Sequence, residues 1–191
     1  KGTLEGCSPF TGQVLNHGHT MFCLHIATVN RFPSVSKKMQ ESWASLQEGV
    51  KGSTDLEEEL TRIDQDTSLK ERAVNYVWGA ASQIQGELVT KAHQRISASY
   101  NIPGTMKPQD VTTAVEWLIK TGVFLDGDLD IKTRTYDKQQ PFHHPIIKDL
   151  IVNQWYSSKG EGAKYVSIFK EMPNCLLALV ATVLFSFCFF F

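Results

Sequence analysis

The stretch PFHHPIIKDLIVNQWY, residues 141–156, decides how the rest of the chain is read. Pro145 suits the first position of a helix, where a missing N–H costs nothing, and Ile146, Ile147, Leu150, Ile151 and Trp155 then fall on one side of a helical period. The pattern predicts a core helix starting at Pro145 and ending near Tyr156. His144 precedes a proline and is pushed toward extended backbone geometry, from which its imidazole can cap the helix or fill a half-buried pocket.

The same periodicity recurs on both sides of this stretch. Pro108 opens a helix with Asp110 in its first turn, Val111, Ala114, Val115, Leu118 and Ile119 on its apolar face, Lys120 in its last turn and Gly122 as its stop. Before it, Leu69, Ala73, Val77, Ala81, Ile84, Leu88, Ala92 and Ile96 mark a long helix that Pro103 and Gly104 terminate. Gly79 and Gly86 lie inside it, where the helix is expected to bend or to admit a neighbour closely. Thr54-Asp55-Leu56-Glu57 has capping-box form ahead of Leu56, Leu60 and Ile63, and Ser68 to Glu71 repeats the signal. From Ser36, Met39, Trp43 and Leu46 keep helical spacing, with Gly49 as the closing residue. Downstream, Gly160-Glu161-Gly162 breaks the chain before a last apolar segment that starts at Cys175.

Strands are poorly supported. Period-two alternation is short everywhere, and the flank Asp128-Leu129-Asp130 after Asp126-Gly127 is too acidic for a convincing hairpin, so residues 126–140 read as an exposed loop. The fold expected is all-α, a single-domain irregular bundle of about six helices. Residues 1–35 are expected to be an irregular arm or truncated element containing one buried apolar run from Met21 to Val29. Residues 36–182 form the helical domain, and residues 183–191 a Phe-rich apolar tail.

The pattern Phe142-x-His144-Pro145-Ile146-Ile147, together with Pro173 and the run from Leu176 to Thr182, resembles a family of fungal domains known as domain of unknown function 6532. Phe142, His144 and Pro145 map onto the family's F-x-H-P pattern, and His143 occupies its variable slot. The likeness is carried mainly by residues 91–182 and departs after Thr182, where family members continue with alternating polar residues in a soluble domain. It implies a fold and a fungal source. Because the family has no assigned activity, it implies no mechanism.

Composition narrows the function classes. Of 191 residues, 42% are hydrophobic and 20% charged, which suits a folded core rather than a disordered chain. Nineteen basic residues against twenty acidic ones leave a formal charge of -1, so any nucleic-acid binding must come from a local patch. Cys7, Cys23, Cys175 and Cys188 have neither C-x-x-C spacing nor the density of a disulfide scaffold and are expected to be reduced thiols. A chain that begins with Lys1 instead of Met is expected to be a fragment or a processed product.

Three clusters carry residue types suited to chemistry. His17, His19, Cys23 and His25 are metal-ligand types, but all lie within one short run rather than in two spaced pairs, and they read better as polar residues beside a buried cysteine. Asp126, Asp128, Asp130 and Asp137 imitate the start of a calcium loop, yet Ile131 stands where the sharp turn requires Gly and the closing Glu is missing, leaving a solvated acidic loop. His143 or His144 with Cys175 as nucleophile and Asp149 as orienter would form a catalytic set, but Cys175 opens an apolar helix and no nucleophile elbow is present. No catalytic, cofactor-binding or metal residue is therefore assigned, and enzymatic activity is not expected. Trp43, Trp78, Trp117 and Trp155 sit in helical contexts away from basic stretches, as core residues or partner-groove residues do. Lys91, His93 and Arg95, and Lys132, Arg134 and Lys138, read as modest solvated basic faces.

No charged residue follows Glu171. A helix over residues 175–191 would span about 25 Å, slightly short of a hydrocarbon core, and makes a membrane anchor one expectation for the tail. The alternative is a gene-model artefact, since Phe, Ser, Cys and Leu share thymine-rich codons. The preferred functional expectation is a non-catalytic, intracellular protein-interaction module, nuclear or cytoplasmic, with a protein partner and no cofactor. The alternatives are a nucleic-acid-associated regulatory domain or a protein membrane-anchored through its carboxyl end.

Overall fold

The computed structural model describes residues 8–158 and 160–187. Among them the chain forms eight α-helices and one two-stranded hairpin, and it divides into two compact units, Lys1–Ile84 and Gln85–Phe191. The all-α expectation holds. The six helices expected from periodicity are all present, and two more are added.

The first unit holds α1 (Pro9–Thr28), α2 (Lys38–Val50), α3 (Thr54–Gln65) and the first turns of α4 (Thr67–Ser99). Most of the region expected to be an irregular arm is thus a regular helix. Ser8 caps it by accepting from the Thr11 N–H at 3.1 Å, and Pro9 occupies its first turn. Its buried face runs through Val14, Leu15, Gly18, Phe22 and Ile26, and glycine and histidine between those residues weaken the apolar stripe in the sequence. Gly18 is buried because α2 crosses there. A Cβ on Gly49 would lie 2.8 Å from the backbone nitrogen of Gly18 and the carbonyl carbon of His17, so the two backbones meet with no room for a side chain. Gly49 is the next-to-last residue of α2, which runs on to Val50 and is capped at Lys51, so the glycine serves the crossing and not the stop. At Gly79 and Gly86, where a bend or a close neighbour is expected, a Cβ would meet nothing within 4 Å, so no neighbour approaches closely there.

The capping signals are present but shifted by a residue or so. Glu57 reaches back to the Gly52 N–H at 2.9 Å, and Asp66 rather than Ser68 caps α4 by accepting from the Leu69 N–H at 3.0 Å.

The second unit holds the remainder of α4, α5 (Pro108–Thr121), the hairpin strands β1 (Gly127–Asp130) and β2 (Thr135–Asp137), α6 (Pro145–Trp155), the single turn α7 (Glu161–Lys164) and α8 (Asn174–Phe187). Gly122 stops α5 in the left-handed region at φ 73°, its N–H shared between Leu118 and Ile119 carbonyls. The hairpin corrects the reading of residues 126–140 as a loop. Gly127 pairs with Asp137 and Asp130 with Thr135, while Ile131 is buried and pins the turn. The Asp130 carboxylate accepts from the N–H groups of Lys132 and Thr133, which folds the turn and lowers its pKa. α6 packs on α8, with Ile146, Leu150, Trp155, Leu176, Leu179 and Leu184 fully buried.

The Phe-rich tail does not begin as a separate segment. Val183 and Leu184 belong to α8 and are buried, and the Phe185 ring lies 5.9 Å from that of Phe124. Residues 188–191, with Cys188, and residues 1–7, with Cys7, lie outside the described residues. No helix among the described residues is long and apolar enough to cross a membrane.

Candidate functional site

Among the described residues, chemistry-bearing side chains come together in both units. In the second unit, Pro145 starts α6 and forces His144 into extended geometry, with φ -57° and ψ 129°. From there Nδ1 accepts from the Ile146 N–H at 3.3 Å, so the ring proton sits on Nε2. The imidazole stacks on Tyr100 with centroids 4.3 Å apart, the Tyr100 hydroxyl donates to the Phe124 carbonyl at 2.6 Å, and the His144 N–H donates to the Leu125 carbonyl at 3.0 Å. One histidine thereby ties the end of α4, the turn after α5 and the start of α6. It fulfils the helix-capping role expected of a residue before proline.

Burial pushes the His144 pKa from the ordinary 6.5 down to about 4, so the ring is neutral at physiological pH. The unfolded chain binds a proton here that the folded chain refuses, so stability rises with pH between those two values and is lost as pH falls through them. Roughly 2 kcal/mol of unfolding free energy should disappear between about pH 7 and pH 5. Urea unfolding of wild type and His144→Asn across that range checks it. The variant keeps a capping acceptor without a titrating ring, and an unchanged pH slope in it would assign the effect elsewhere.

The residues suggested as a catalytic set with His144 have other engagements. Asp149 pairs with Arg95 at 2.7 Å and with the Asn153 amide at 2.9 Å, and His143 is exposed with its ring bonded to the Pro141 carbonyl at 2.8 Å. Cys175 lies half-exposed at the start of α8. The basic group on α4 is also committed. Lys91 donates to Gln154 at 2.6 Å and to the Asn153 carbonyl, and Gln154 donates to Glu87 at 2.8 Å, so Lys91 and Arg95 join α4 to α6 and are not a solvated face. Lys132, Arg134 and Lys138 are exposed on the hairpin.

In the first unit, α1 disperses the four metal-type residues. His17 meets the Gly49 carbonyl at 3.1 Å, His19 lies 3.8 Å from the Cys23 sulfur, and His25 stacks on Phe22 with its Nε2 3.8 Å from Glu41. Among the described residues, no group of three or more His, Cys, Asp or Glu side chains is placed to hold a metal ion.

The same unit has an open groove of about 310 Å³ between α2 and α3. Trp43, Gln47, Val50 and Lys51 form one wall, and Glu57, Leu60, Thr61 and Asp64 the other. Helical spacing puts each set on one face, with Val50 and Leu60 as a buried floor. Lys70, from the first turn of α4, sets its ammonium 4.5 Å above the Trp43 ring and 2.5 Å from Asp64 Oδ1. A second hollow, of about 590 Å³, lies along α3 beside Phe10, Asp55, Glu58, Glu59 and Arg62. There Arg62 grips both Glu59 oxygens at 2.7 Å and Thr11 donates to the same carboxylate, which holds its pKa below the usual value.

Periodicity had placed Trp43 on a helix face, but the carboxylates opposite it belong to another helix and gave no local signal.

The sequence model of a family described as a domain of unknown function (DUF6532) matches residues 17–188. No curated protein and no solved structure matches the chain. The family match extends beyond residues 91–182, far toward the amino end, to residue 17, and by a few residues toward the carboxyl end, to residue 188, so the change of composition after Thr182 does not end it. It runs from within α1 to the residue that follows α8, and the chain therefore belongs to the DUF6532 family.

Proposed function

We propose that this chain is a non-catalytic protein-interaction module that receives its partner in the groove between α2 and α3. The observation that carries the reading is the groove itself, in which the half-buried Trp43 ring and the carboxylates of Glu57 and Asp64 line a hollow floored by Val50 and Leu60. The histidine most favourably placed for chemistry is buried, neutral and engaged in capping a helix. The carboxylate suggested as its orienter is paired with Arg95. Two of the basic side chains suited to phosphate, Lys91 and Arg95, are spent on internal bonds, which favours a protein partner over a nucleic acid.

A photo-crosslinking amino acid at Thr61, exposed on the groove wall, tests this in the source cell. The expected result is a discrete adduct with one polypeptide that is absent when the probe is moved to Gln83, outside the groove. Adducts of equal yield from both positions, or none from Thr61, would remove the reading.

A further inference from the structure

Two walls of the α2–α3 groove, through Trp43 and Asp64, hold a cation of their own chain in a geometry suited to a foreign one. The Lys70 ammonium lies over the Trp43 ring and against Asp64, with Glu57 farther along the same wall. A ring face attracts a cation through its quadrupole, and a carboxylate at the rim adds a charge-assisted hydrogen bond. Lys70 is held by these contacts alone among those described for its ammonium, and its side chain and that of Asp64 are 32% and 51% exposed, so water competes for both. Such a pair is cheap to displace. The helix supplying the carboxylates, TDLEEELTRIDQ, bears five acidic side chains against the one guanidinium of Arg62, and that guanidinium faces Glu59 rather than the Trp43 groove. Of these carboxylates Glu57 and Asp64 line this groove, whereas Asp55, Glu58 and Glu59 line the other hollow; with Lys51 on the facing wall paired to Glu48, the two leave the groove net negative once the Lys70 ammonium is displaced.

We propose that the partner presents a lysine or arginine side chain from a basic segment, whose cation enters between Trp43 and Asp64 in place of the Lys70 ammonium. This rests on the interaction reading above and adds the chemistry of the partner. Lys70 is then a placeholder that keeps the carboxylate satisfied and the ring covered until the partner arrives. An arginine is the better competitor, because its planar guanidinium stacks on the indole and forks onto the carboxylate.

The test uses the full chain, isotopically labelled at nitrogen, and a blocked oligoarginine peptide as probe, with an oligoglutamate peptide as control. The expected result is a saturable shift of the Trp43 indole N–H with oligoarginine and none with oligoglutamate. Lys70→Met should tighten oligoarginine binding about fivefold by removing the competitor, and Asp64→Asn should weaken it by a similar factor. Asp64 is exposed, so its variant leaves folding aside. Trp43→Phe removes that reporter but keeps a ring in place, and by titration calorimetry it should weaken binding less than Asp64→Asn does. Binding that is indifferent to Lys70→Met and Asp64→Asn but lost on neutralising Asp55 and Glu58 would overturn the proposal in favour of diffuse attraction to α3. No shift at Trp43 would overturn it outright. The wider interaction reading fails separately, by the absence of a Thr61 adduct. An adduct whose yield ignores Asp64→Asn would leave that reading intact while sinking this one.

Discussion

Trp155→Ala should cost roughly 3–5 kcal/mol of unfolding free energy, the range for emptying a fully buried aromatic site. Trp155 has no exposed surface and is the largest of the fully buried side chains. It closes α6, whose Ile146 and Leu150 are as deeply buried and face the layer formed by Leu176 and Leu179 of α8. The site cannot easily collapse, because the chain after α6 turns back so tightly that Gly160 and Gly162 both press on the Trp155 carbonyl. A cavity that stays open forfeits contacts on every side, which adds to the lost transfer energy. Trp117→Ala, at a half-buried position on α5, should cost less than half as much. Urea unfolding followed by far-ultraviolet dichroism measures both. A loss below about 1 kcal/mol for Trp155→Ala would mean that α6 and α8 do not share a packed core.

What was legible in the sequence follows from where the stabilising contacts lie. α5 was legible from end to end because its signals are local: a proline and an aspartate at the start, a stripe on one face, and a glycine that adopts φ 73° at the stop. α6 was legible for the same reason, and the capping role of His144 came directly from its place before Pro145. α1 was not legible. The feature that buries it is the absence of a side chain at Gly18, which no hydropathy pattern registers, and His17, His19 and His25 dilute the remaining stripe. The hairpin was missed because side-chain bonds from Asp130 and the bond from the Gly127 N–H to the Gln140 carbonyl hold it, in place of alternating apolar residues. Lys91 and Arg95 looked solvated because Gln154 and Asp149, their partners, lie about sixty residues away. The groove was half legible, since Trp43 announced an aromatic face while Asp64 and Lys70 reach it only after three helices have packed.

The glycines of the first unit give the sharpest test of that packing, because chemically identical substitutions should change stability with opposite signs. Gly49→Ala should destabilise the chain by roughly 3 kcal/mol, at the upper end for overpacking, since the added methyl meets backbone atoms of His17 and Gly18 at 2.8 Å and no rotamer change can relieve them. Relief requires α1 and α2 to separate, which would strip contact from Leu46, Phe22 and Ile26, all fully buried. Gly18→Ala should cost less, because its nearest neighbour is the Leu46 side chain, which can turn before the Leu46 backbone at 3.1 Å resists. Gly79→Ala, inside α4 with nothing near the new methyl, should instead gain about 0.5–1 kcal/mol by restricting the unfolded chain and favouring helix. Helix preference favours alanine at the interior positions Gly18 and Gly79 and less so at Gly49, the next-to-last residue of α2, but at none of them does it account for a loss of several kcal/mol, so a large deficit in Gly49→Ala reports the crossing of α1 over α2. If thermal and urea unfolding find Gly49→Ala as stable as Gly79→Ala, the two backbones do not meet there. The wall of the Trp43 groove would then lose its support, since Trp43, Gln47 and Val50 owe their placement to the same helix that Gly49 holds against α1.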